Sequence, residues 1–206
     1  MAAPTRAPRR TVGPPPVPDA LTSRQRERRD AIVEAAVELV GRHGPDDLQM
    51  RDVSERSGAA LATLYRYFPS KDQLVAAAFM AWARTIDDRV VPALTDSATP
   101  ADRFVAVLHR GLRPFQHQPN FARAMIYVSQ SRDPFASETY LQLGTVIRGT
   151  LARSIPDVEP DVRDGVLQAI GSVWYHCLVE WVSGRITIAT AQARLDRAAR
   201  LLLSGT

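Results

Sequence analysis

The densest group of side chains able to do chemistry lies between Gln49 and Leu74, and its chemistry is recognition rather than catalysis. Two short helical segments meet at Gly58, and the second ends in Leu64-Tyr65-Arg66-Tyr67-Phe68. Such a pair forms a helix-turn-helix, whose second helix enters a major groove while apolar residues on its other face lock it to the first. A guanidinium at Arg66 can pair bidentately with O6 and N7 of a guanine. It fits equally the role of a solvated arginine touching phosphate alone, since half or more of protein–DNA hydrogen bonds go to the backbone. Lys71 follows Ser70 at a helix start, where free amides attract anions, and this favours a phosphate anchor. Tyr65 reads first as a packing residue.

Other chemistries lack their constellations. His43, His109, His117 and His176 show no metal-ligand spacing, and no glycine-rich phosphate loop or nucleophile elbow occurs. Asp87 and Asp88 fall on different helix faces. Cys177, the single cysteine, forms no intrachain disulfide and reads as a buried helix residue rather than a redox sensor. No enzyme, metal or cofactor is expected. No apolar run reaches the roughly 18–20 residues of a membrane span, and Pro14-Pro15-Pro16 stands where a signal peptide would be apolar, so a cytoplasmic protein is expected.

Charge is unevenly placed. Seven arginines against Asp19 and Glu27 put +5 on the first 29 residues, leaving −1 for the rest of a chain with net charge +4. A basic, proline-rich arm over residues 1–22 suits a nucleic-acid partner through phosphate or minor-groove contacts, and equally a solvated disordered tail.

The elements that must position these groups are all helices. Ile32, Ala35, Ala36, Leu39 and Val40 form one apolar face, ended by Gly44-Pro45. A helix over 50–57 turns Met50 and Val53 inward, and one over 60–67 offers Leu61, Leu64, Tyr65 and Phe68 for packing. Ser70 caps a fourth helix, accepting from the amide of Asp72 or Gln73, which runs toward Val90 and stops before Pro92. Prolines then punctuate helices near 100–117, 120–131, 135–154, 160–183 and 188–203, with Pro114 bending or ending the fifth early. The expectation is an all-α chain of about nine helices: an arm over 1–22, a three-helix bundle over 23–70, and a larger helical domain over 71–206.

The stretch Gln49-Met50-Arg51-Asp52-Val53, then Gly58 through Leu74, resembles the DNA-binding domain of TetR-family repressors, with Thr63 to Lys71 its most specific part. The resemblance implies that Thr63 contacts DNA, that Tyr67 and Lys71 contact phosphate, and that Tyr65 packs and touches the backbone. It also places Arg51 facing the groove. Two positions depart from the family pattern. Ala60 removes a usual helix cap, worth about 0.5–2 kcal/mol, and Ala62 adds a methyl where DNA comes close. The implied partners are a double-stranded DNA operator, a second copy of the chain and a small-molecule effector.

In the second half, Phe104, Leu108, Phe115, Phe121, Met125, Val128, Trp174, Leu178 and Trp181 fall on helical faces. For any one of them a packed core is the simpler reading. The family resemblance makes an effector cavity of this set, with Tyr127, Tyr140, Gln130 or His176 as polar handles. The segments 173–181 and 193–203 are similar to an actinobacterial subgroup that contains the repressor of cholesterol-catabolism genes, whose effector is a steroid-acid coenzyme A thioester. That similarity implies a bulky, hydrophobic or acyl-CoA-type ligand. The last two helices, with Ala189, Ala193, Ala198, Leu201 and Leu202, fit a four-helix homodimer interface. Two alternatives remain: a DNA-binding protein with no ligand, and a helical binding protein or enzyme whose helix-turn-helix pattern is incidental.

Overall fold

The computed structural model describes residues 21–86 and 99–204; residues 1–20 of the arm expected over 1–22 lie outside them, as do Asp87 and Asp88. Among the described residues the structure is nine helices and no strand: α1 (Ser23–His43), α2 (Met50–Ser57), α3 (Leu61–Tyr67), α4 (Lys71–Arg84), α5 (Pro100–His117), α6 (Pro119–Ser129), α7 (Pro134–Ala152), α8 (Pro160–Val182) and α9 (Ile188–Leu202). None of these helices is long and apolar enough to cross a membrane.

Local sequence sets the ends. Thr22 and Gln25 cap α1 reciprocally, each side chain bonding the other's amide. Gly58 ends α2 at φ 64°, a left-handed cap that costs an L side chain steric strain. Ala60 opens α3 with no side-chain cap, so α3 relies on packing. Ser70 caps α4, accepting from the Gln73 amide at 3.1 Å. Pro100, Pro119, Pro134 and Pro160 each sit in a first helical turn, where the missing amide leaves no bond unmade.

α5 spans its expected 100–117 and runs through Pro114 to His117 without ending early, and the Gln118 amide donates to the Pro114 carbonyl at 3.0 Å. Proline removes a bond to the preceding turn and leaves its own carbonyl free, so a well-packed helix can pass through it. α4 closes at Arg84 with a turn through Ile86, and Val90 and Pro92 lie outside the described residues.

The interior holds two apolar clusters. One joins Ile32, Ala36 and Val40 of α1 to Leu64, Tyr67 and Phe68, to Leu74, Ala78 and Phe79 of α4, and to Phe121, Met125 and Val128 of α6. The other joins Phe104, Leu108 and Leu112 of α5 to Ile155, Val166, Ile170, Leu195 and Ala199. α4 is central because it packs on α1, α6 and α7, and its Leu74, Ala78, Phe79 and Trp82 belong to the first cluster. Trp82 there stacks on Phe121 at 4.4 Å and 2°, and its Nε1 donates to Gln118 Oε1 at 2.5 Å.

Candidate nucleic-acid interface and cavity

α1 and α2 brace the recognition unit. The Arg56 guanidinium on α2 donates to Glu38 on α1 at 2.6 Å, and Arg28 reaches the Gly58 carbonyl at 3.2 Å. Val53, Ala59 and Leu64 are buried between them. The opposite face of the unit carries Arg51, Ala60, Ala62, Tyr65 and Arg66 exposed and Thr63 half-buried. The exposed arginines 24, 26 and 28 of α1 add positive charge to the same half of the molecule.

The two tyrosines of α3 exchange their expected places. Tyr67 is 2 % exposed and belongs to the core, while Tyr65 is 46 % exposed. Leu61 and Leu64 allow two continuations of an apolar stripe on a helix, one through position 65 and one through position 67. Packing in the first apolar cluster takes the second. The Tyr67 phenol is therefore not on the groove-facing side. Arg66 lays its guanidinium over the Tyr67 ring, 5.2 Å from the centroid.

The start of α4 also differs from a simple anion site. The Lys71 ammonium donates to the Asp46 carbonyl at 2.6 Å and lies 5.7 Å above the Tyr127 ring. The Ser70 hydroxyl donates to Asp133 at 2.7 Å. Carboxylates of Asp72 and Asp133 already sit at this amino end, so the helix dipole is met internally. Any phosphate contact there rests on the ammonium of Lys71, and the Ser70 side chain is committed inward.

Behind this unit lies an apolar cavity of about 860 Å³, within the size range of small-molecule sites. Leu108, Phe115, Met125, Tyr140 and Trp174 line it, as the family resemblance implied. Phe104, Phe121, Tyr127, Val128, Leu178 and Trp181 do not line it. Phe104, Phe121, Val128 and Leu178 are buried core, and Trp181 packs partly buried against the first cluster. Tyr127 turns its hydroxyl to Asp72 at 2.7 Å, and burial with that bond pushes its pKa well up, so the phenol stays protonated. Neither Gln130 nor His176 lines the cavity.

Periodicity within the second half missed the walls that come from elsewhere. Phe79, Trp82 and Arg84 at the end of α4, Ile147 and Arg148 of α7, and Tyr175 beside Trp174 all line the cavity. The sequence signal for the α4 contribution is its aromatic pair Phe79 and Trp82. Gly111 matters here, because a Cβ on it would stand 3.4 Å from the Trp174 ring. Burial raises the pKa of Tyr140 and of the Cys177 thiol, leaving that thiol a protonated core group.

Comparison with known proteins follows the same division. Residues 32–78 match the model of bacterial regulatory proteins of the tetR family, and residues 97–202 match a tetracyclin repressor-like C-terminal domain. The chain is 32% identical to the HTH-type transcriptional repressor KstR of Mycolicibacterium smegmatis, over 87% of this chain and 88% of that protein. A TetR transcriptional regulator from Rhodococcus sp. RHA1 superposes with a TM-score of 0.73 at 27% identity, covering 88% of this chain and 97% of that one. FadR of Thermus thermophilus, solved with lauroyl-CoA, shares the fold with a TM-score of 0.65 at 16% identity over 86% and 94% of the two chains. The relatives are named as transcriptional repressors, which sets aside the enzyme alternative. This chain belongs to the TetR family of bacterial transcriptional regulators, among the members similar to KstR.

Proposed function

We propose that the protein is a transcriptional repressor that binds a near-palindromic operator as a homodimer and is released by a hydrophobic, anionic effector. The observation that carries the DNA-binding reading is the open face of α3, with Tyr65 and Arg66 exposed on a helix whose other side is fixed in the core. Arg51, Thr63, Tyr65, Arg66 and Lys71 are the contact residues of this reading. Residues 23–70 form its DNA-binding unit, and residues 71–206 hold the effector and the dimer interface.

Dimerisation through α8 and α9 is supported by the apolar side chains that they leave outward. Leu201 is 68 % exposed and Val162 43 %, and Ala189 and Ala193 are also exposed. A twofold pair sets two recognition helices on half-sites about 34–36 Å apart or at multiples of that spacing. The effector class is supported by the cavity walls. Among the described residues its charged liners are Arg84 and Arg148, both cationic, around an otherwise largely apolar space. Such a site suits a hydrophobic body with an anionic group, and the lauroyl-CoA held by the structurally similar FadR is of that class.

The test begins with a duplex selected from a random pool by the purified protein. A near-palindromic consensus, and loss of its gel shift on adding lauroyl-CoA, is the expected result. No enrichment refutes the DNA-binding reading. Enrichment with a shift that no acyl-CoA of any chain length alters refutes the effector class.

A further inference from the structure

Two carboxylates tie the start of α4 to the connection between α6 and α7. Asp133 is the N-cap of α7, and its Oδ1 accepts from the amides of Phe135 at 3.0 Å and Ala136 at 3.3 Å. Its Oδ2 accepts from the Ser70 hydroxyl at 2.7 Å and from Gln73 Nε2 at 3.0 Å. Ser70 is itself the N-cap of α4. Asp72 runs the other way: it accepts from the Tyr127 hydroxyl at 2.7 Å and the Ser131 hydroxyl at 2.5 Å. Ser131 in turn accepts from the Asp133 amide at 3.1 Å.

A single carboxylate thus caps one helix and grips the cap of another. α7 carries Tyr140, Leu143, Ile147 and Thr150 to the cavity wall. α4 starts directly after Phe68-Pro69-Ser70, and the buried Phe68 closes α3. Charge-assisted hydrogen bonds between half-buried groups are short and directional, so a shift of α7 draws the start of α4 with it. The geometry points to Asp133 as the positioning residue that couples the cavity to the recognition helix. It lines neither the cavity nor the open face of α3, and this role rests on the repressor reading above.

The carboxylate can be split by substitution. Asp133→Asn keeps a carbonyl for the α7 amides but turns an NH2 group on two donors of α4. Asp133→Ser keeps a capping hydroxyl that is too short to reach α4, and both residue types are good caps. Coupling is reciprocal, so whatever the cavity does to DNA affinity, DNA does to the cavity helix. The experiment is therefore hydrogen exchange on the full chain, with and without a duplex selected by the wild-type protein. In the wild type, bound duplex slows exchange of α7 amides by about threefold or more. In both variants α3 and the start of α4 are still protected by DNA, while the α7 response is lost.

An α7 response that is equal in the variants and the wild type, or absent from the wild type, overturns the coupling. A merely structural role speeds α7 exchange equally with and without DNA, leaves the ratio unchanged, and also overturns it. A wild-type protein that selects no duplex overturns the repressor reading itself, and is recognised because α3 gains no protection either.

Discussion

Tyr65 and Tyr67 stand two residues apart on α3 and should answer substitution in opposite ways. Tyr67→Ala removes a buried ring and leaves a cavity in the first apolar cluster, at a cost of about 3–5 kcal/mol by analogy with other large aromatic truncations. Urea unfolding reads that loss. Tyr65→Ala leaves unfolding nearly unchanged and weakens operator binding instead. Lys71→Ala should lower affinity for all duplexes and reduce the slope of log K against log salt by about one unit, measured by titration at several salt concentrations. An unaltered slope means that the ammonium serves only the Asp46 carbonyl. Arg66→Ala should relax preference at one operator position, and equal losses on every sequence would assign Arg66 to phosphate.

At the scale of elements, the two short helices depend on what joins them. Gly58→Ala forces a Cβ into the left-handed region and should cost about 1 kcal/mol, with α2 and α3 fraying before the rest in hydrogen exchange. α4 carries the heavier duty. Its N-cap Ser70 directly follows the recognition helix and is bonded to Asp133 at the start of α7, and its last turn lines the cavity through Trp82 and Arg84. A rigid helix with one end at each site is a physical means by which an effector and an operator can compete.

Over the whole molecule, surface ion pairs clamp the C-terminal half. Arg200 of α9 donates to Asp102 at 2.8 Å, and Arg103 pairs with Asp157 in the connection before α8. Hydrogen bonds from Thr99 and then Arg200 hold the Asp102 carboxyl below its ordinary value, and the Arg103 bond does the same for Asp157. A depressed folded pKa gives stability that is present above the unfolded pKa and lost as pH falls through the folded one. Thermal melting should therefore drop as pH is lowered below about 4, and Asp102→Asn should flatten part of that fall. Both groups are exposed, so the effect is small and screened by salt.

The amino-acid order by itself determined the helices, their caps and their breaks. Thr22, Ser70, Gly58 and the helix-opening prolines act through their own backbone neighbours. It also determined the recognition motif, whose residues are contiguous. Only tertiary packing decided which tyrosine of α3 went inward, because Leu61 and Leu64 tolerate either stripe and the surrounding cluster makes the choice. Packing likewise decided which apolar residues line the cavity. Six of those expected, Phe104 and Phe121 among them, went elsewhere, while Phe79, Trp82 and Tyr175 came in unexpected. A void belongs to several helices at once, and helical periodicity reports which way one helix faces but not what stands opposite.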